Sequence, residues 1–292
     1  EYAFVSRKYD YGLEVGKQFV ETLINNPVIF SNIRIGYVYF NLSDNEISAI
    51  RFKSAINFGL NPKKTLRNYK SINYIVTLDF LATAYFFNNE LEEAEKQITD
   101  LESLKLIDKY PFHKGKMYYQ KAMILFRRKL FKEANLLLNN ISEIEKDKEG
   151  WNVWIRIMRI LCSIELLKLK LIDYDVESFR KYIQRIDKKY KVGKREKLIL
   201  RILVDLDRKD FNFEKVFADN NEIFEELDEI SGETSWDPKS PELILFNYWM
   251  KSKLYETEYA PTFDVYKKRH LEIKDEHESN VSEEANQLAI EF

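Results

Sequence analysis

Leu81-Ala82-Thr83-Ala84-Tyr85-Phe86-Phe87-Asn88-Asn89-Glu90-Leu91-Glu92-Glu93-Ala94 decides the fold. Its pattern returns 40 residues later as Lys121-Ala122-Met123-Ile124-Leu125-Phe126-Arg127-Arg128-Lys129-Leu130-Phe131-Lys132-Glu133-Ala134. Ala82 is followed by Tyr85, Leu91, Ala94 and Ile98. Ala122 is followed at the same offsets by Leu125, Phe131, Ala134 and Leu138. Cys162 stands a further 40 residues on. A fixed period of this size marks stacked helix pairs. A small residue suits the point where one helix crosses another, with axes about 8–10 Å apart.

Working outward, Leu78, Leu81 and Tyr85 fall on one helical face, as do Tyr118, Met123 and Leu125 nearby in the second unit. A polar break follows, Asn88-Asn89-Glu90 or Arg127-Arg128-Lys129, and then a second amphipathic helix. One such pair cannot bury its apolar face alone, so neighbouring pairs must stack.

Leu81-Ala82 with Tyr85 and Leu91-Glu92-Glu93-Ala94, then Ala122 with Phe131-Lys132-Glu133-Ala134, resemble the tetratricopeptide repeat family. The resemblance implies an all-α fold, a right-handed α-α superhelix of stacked antiparallel hairpins, and a binding role. It carries over no catalytic residue.

The full reading places a TPR-like domain over residues 1–256, with helix pairs at about 8–58, 65–106, 112–146, 151–190 and 195–229. Pro27 is expected early in the second helix, and a third helix over 44–58 is expected to end near Gly59 and Pro62. Ser240-Pro241-Glu242 reads as a helix start, with serine as N-cap and proline in the first turn, opening a capping helix over 241–256. Residues 257–292 hold 9 acidic and 4 basic residues and read as a tail, poorly ordered or docked in a groove. The chain begins with Glu1, and Tyr2, Phe4 and Val5 already suit a helix interior, so it reads as a fragment or a processed chain.

Gly and Pro number 8 and 6 in 292 residues, too few breakers for a sandwich or barrel. The formal charge of -2 argues against a general nucleic-acid binder. One cysteine, Cys162, excludes an intrachain disulfide and fits a reducing, cytoplasmic setting. No apolar run is long enough to span a bilayer, so no membrane partner is expected.

No cofactor or metal is expected. His113 stands alone, and His270 and His277 are seven apart rather than at the i, i+4 spacing of a metal-binding helix. Asp173-x-Asp175 reads as a helix cap and Asp205-x-Asp207 as a polar face. Lys114-Gly115-Lys116 is too short for a phosphate loop.

Taking Ala82, Ala122 and Cys162 as equivalent, the first helices should line a concave face with Asp79, Thr83, Phe86, Lys116, Tyr119, Met123, Arg156 and Arg159. Lys116, Arg156 and Arg159 would form its basic end, suited to an acidic or carboxylate-bearing peptide. A second basic patch comprises Arg180, Lys181, Arg185, Lys188, Lys189, Lys194 and Arg195. Trp151 and Trp154 are expected to pack between hairpins.

The function expected is therefore a non-enzymatic scaffold for a protein or peptide. One alternative is the peptide-sensing half of a larger regulator whose N-terminal part lies outside this chain. Another is nucleic-acid or phosphate binding through residues 180–201. Self-association through terminal helices or the tail is a further expectation.

Overall fold

The computed structural model describes residues 8–69, 71–144, 147, 150–188, 191–230 and 232–263. Every regular element among them is helical. The helices are α1 Tyr9–Asn25, α2 Asn32–Ser48, α3 Phe52–Leu66, α4 Ile72–Phe87, α5 Leu91–Glu102 and α6 Pro111–Arg127. They continue with α7 Phe131–Asn139, α8 Trp151–Glu165, α9 Leu169–Asp187 and α10 Lys194–Arg208. Three short ones close the series: α11 Phe213–Asp219, α12 Asn221–Leu227 and α13 Phe246–Leu254. Successive helices from α1 to α11 pack against one another, antiparallel, and α4 also touches α6, which touches α8. This fits a solenoid of helix hairpins.

The hairpin corners carry the repeat. α2, α4, α6 and α8 each end at a residue with positive φ: Ile50, Asn89, Lys129 and Leu167. In each, the next residue's N–H bonds the carbonyl five back: Arg51 to Glu46 at 2.8 Å, Glu90 to Tyr85 at 2.9 Å, Leu130 to Leu125 at 2.9 Å, and Lys168 to Ser163 at 3.0 Å. This is a Schellman closure, which satisfies carbonyls that the helix end leaves open. Its left-handed residue is usually glycine, but here asparagine, lysine, isoleucine and leucine fill it.

These corners correct the pairing read from sequence. The first hairpin is α2/α3, and α1 precedes it as a lone helix. Ser43 and Ala55 in that hairpin correspond to Ala82 and Ala94. Ser43 Oγ donates to the Ala55 carbonyl at 2.8 Å, tying the two helices together where alanines meet elsewhere. Pro27 lies in the turn before α2 rather than in a helix, and α3 runs through Gly59 and Pro62 to Leu66.

Ala82, Ala122 and Cys162 are all buried, at 2%, 0% and 0% exposure. The third corner, however, falls at Leu167, two residues earlier than a strict 40-residue step from Lys129 requires. Ile160, not Cys162, is therefore the counterpart of Ala122. In the pair expected over 195–229, the stretch after α10 is split into two short helices, α11 and α12, around Asn220.

The capping helix also begins later than expected. Residues 241–245 are not helical, and α13 starts at Phe246. Ser240 Oγ accepts the Glu242 N–H at 3.3 Å, but the Glu242 carboxylate turns back and accepts the Phe246 N–H at 2.9 Å, so that glutamate caps the helix.

One continuous core runs from Ile47 to Met250, and a smaller one joins Val20 and Leu23 to Ile35, Val38 and Leu42. On α1, Tyr11, Val15 and Phe19 stay exposed. Among the described residues no helix is long and apolar enough to cross a membrane.

Candidate functional site

The first helices of the hairpins, α2, α4, α6, α8 and α10, share one face, and the chain's own residues 234–263 lie across it. The contacts run the length of the stack. Lys239 Nζ meets Asp44 of α2 at 3.0 Å. The Trp236 and Phe263 rings pack against Phe87 at the end of α4, with centroids 5.2 and 5.7 Å away, and Phe263 also against Phe52. Tyr119 Oη of α6 donates to the Pro241 carbonyl at 2.7 Å. Trp249 Nε1 donates to Glu165 Oε1 of α8 at 2.7 Å, and Lys253 pairs with the same carboxylate.

The crossing is pinned at α10. Arg195 and Glu242 form a two-pronged ion pair with side-chain exposures of 6% and 1%. The other Arg195 N–H groups reach the carbonyls of Leu227 and Thr234, at 2.9 and 2.7 Å, and Asn247 Oδ1 at 3.4 Å. Burial pushes the Glu242 carboxyl up, and the guanidinium opposes that shift. The outer part of the segment is held more lightly. Glu258 pairs with Lys129 where both are largely exposed, while Tyr259 lies under Arg127 and its hydroxyl accepts the Leu245 N–H at 2.9 Å.

A cavity of about 340 Å³ remains between this segment and the first helices. Asp79 and Thr83 of α4, Lys116 of α6 and Trp151 of α8 line its walls, and Pro238, Lys239 and Ser240 roof it. Asp79 and Lys116 pair at 2.6 Å with little exposure, and the Lys116 ammonium sits 4.8 Å above the Trp151 ring. Gln120 Nε2 donates to Asp79 Oδ1 at 2.6 Å and to Thr83 Oγ1 at 3.0 Å. The α4 and α6 surfaces are thus joined by a buried polar network rather than by apolar contact alone.

Of the residues expected on this face, Asp79, Thr83 and Lys116 do share one cavity. Tyr119 is buried beneath the segment, and Met123 and Phe86 belong to the core at 0% and 2% exposure. Arg156 and Arg159 are placed elsewhere, and the two-residue shift at the third corner explains why. By that corner they correspond to Tyr118 and Lys121, not to Lys116 and Tyr119. Arg159 accordingly turns to the end of α7, where Nη2 donates to the Leu138 carbonyl at 2.6 Å. Arg156 stacks on Tyr182 of α9 with its guanidinium carbon 4.1 Å from the ring centroid.

The basic patch separates into pairs. Arg180 and Lys181 both meet Glu177, Lys194 meets Glu226, and Arg195 is the buried partner of Glu242. Lys188 is exposed, and Lys189 lies outside the described residues. Arg185 leans over Tyr182 at 5.4 Å.

Sequence reasoning missed Trp236, Pro241 and Glu242 as the face's occupant. The apolar run from Leu243 to Met250 pointed to a packed C-terminal element, but nothing local tells a cap on the stack's end from a segment laid along its side. Of the tail expected over 257–292, residues 264–292 lie outside the described residues, His270 and His277 among them.

No described group of three or more His, Cys, Asp or Glu side chains could hold a metal ion. Cys162 is fully buried, and burial, with Glu165 nearby, pushes its thiol up to about 12. Comparison with models of known families, with curated proteins and with solved structures returned no match.

Proposed function

We propose that this chain is a non-enzymatic, TPR-like scaffold that binds a protein or peptide along the face of its first helices. In this reading the hairpins wind into a right-handed superhelix, those helices form its concave side, and the protein works in the cytoplasm. One observation supports it above the rest: the face already holds a non-helical stretch of polypeptide. Residues 236–245 and 255–263 are gripped through a carbonyl, aromatic rings and ion pairs, the contacts by which grooves hold extended peptides.

A partner's segment takes the place of residues 255–263, whose Tyr259 and Phe263 are only partly buried against the core and whose Glu258–Lys129 pair is exposed. The inner part stays, because Glu242 and Trp249 are buried in the core. A capture experiment tests this with the full chain, a chain ending at Leu254, and the shorter chain carrying Arg127→Glu. A protein held more strongly by the shorter chain and lost with Arg127→Glu supports the reading. Capture that ignores both changes counts against it.

A further inference from the structure

Two arginines outside the ion pairs of the basic patch share one aromatic ring. Arg156 of α8 and Arg185 of α9 both approach the Tyr182 ring, at 4.1 and 5.4 Å from its centroid. Neither makes an ion pair among the described residues. That placement holds two positive charges within roughly 10 Å of each other, about one Debye length at 0.1 M salt.

The two arginines border an open cavity of about 720 Å³, separate from the first-helix face. Small-molecule sites run to about 300–1,000 Å³. Tyr174, Ser178 and Tyr182 descend one stripe of α9, with Lys181 and Arg185 beside them. Tyr174 is 76% exposed at the far end of that stripe. It stands eight residues from Tyr182, about 12 Å along the helix.

The acids nearby are largely engaged. Glu177 is shared by Arg180 and Lys181, and Asp147 accepts the N–H groups of Gly150 and Asn152 at the start of α8. Asp173, which like Glu177 lines the cavity, also acts on the carboxyl of Asp207 of α10. Glu143 is exposed on the connection before α8.

We propose that Arg156 and Arg185 bind the phosphate groups of a small organic phosphate, whose planar ring rests on Tyr174. Two guanidinium forks that make no ion pair among the described residues match a phosphate's oxygens in charge and geometry. The exposed tyrosine offers a stacking surface, and the 12 Å between the two ends is a span that a nucleoside di- or triphosphate covers.

Calorimetric titration of the full chain with pyrophosphate and with ATP, without added metal, tests this. Both are expected to bind, ATP the tighter, and both more weakly as salt rises. Arg185→Gln, at an exposed position that leaves the fold intact, should weaken each by about tenfold or more, as should Arg156→Gln. Tyr174→Ala should weaken ATP and leave pyrophosphate unchanged. No binding of either ligand, or equal binding by the Arg185 variant, overturns the site. ATP affinity that ignores Tyr174→Ala overturns the stacking assignment.

Discussion

The Arg195 guanidinium and the Glu242 carboxylate, 47 residues apart in the chain, close on each other in the core, and every N–H of the arginine finds an acceptor. The pair joins the fifth hairpin to the segment that crosses all the others. It makes the C-terminal segment part of the fold rather than an appendage, because separating the two would leave a charge buried without its partner.

That relationship predicts the cost of breaking it. Arg195→Met leaves Glu242 buried and unpaired, and the loss should be roughly 3–5 kcal/mol. The double change Arg195→Met with Glu242→Leu should recover much of it, since an apolar pair of similar volume replaces both charges. Urea unfolding followed by circular dichroism and by tryptophan fluorescence checks both. Stabilities within error of one another would show that the segment does not depend on this pair.

Gly59 tests the close crossing of the first two hairpins. An added Cβ would stand 2.8 Å from Leu81 Cδ2 and 3.1 Å from Ser43 Oγ. Gly59→Ala gains about 1 kcal/mol of helix propensity. Overpacking costs about 1–3 kcal/mol, and Leu81 is fully buried with little room to give. The crowding should win, so the variant's denaturation midpoint should fall. A rise would mean that Leu81 moves aside freely.

The sequence showed the helices and the hairpins through spacing, because burial repeats with the helix and the repeat repeats with the stack. It misled where a single corner departs from the period. Leu167 closes α8 early, and no glycine marks that turn, so alignment on Cys162 carried Arg156 and Arg159 onto the wrong face. The site was legible in part for the same reason. Asp79, Thr83 and Lys116 lie in the two units whose spacing holds, and they were placed together. The covering segment was not legible, because its partners Asp44, Tyr119 and Glu165 are far away in sequence, and no local pattern encodes such a contact.

Cys162 should be chemically silent while the protein is folded. Its thiol is buried and held up to about 12, so almost no thiolate exists at pH 8. Ellman's reagent should give no signal with the native chain and one thiol per chain in denaturant. Reaction of the native protein on the timescale of manual mixing would mean that α8 opens readily.

The carboxyl of Asp207 gives the stability a pH dependence of unusual sign. Burial, and then its hydrogen bond to Asp173, raise it to about 6, against roughly 3.9 for an unfolded aspartate. A raised acid is bound more tightly to its proton in the folded chain. Its contribution is therefore fully favourable below about pH 4, and it is lost as pH rises through the folded value near 6. Most acids in ion pairs behave in the opposite way. Asp207→Asn removes the ionisation, so the variant should exceed the native protein at pH 7 by about 0.5–1 kcal/mol, a figure reduced for the solvent screening of a half-exposed pair. The advantage should shrink as pH falls and vanish near pH 4. Denaturation midpoints of both chains at half-unit steps from pH 4 to 7.5 would show it. Parallel curves would mean that the Asp207 carboxyl is not raised in the folded chain.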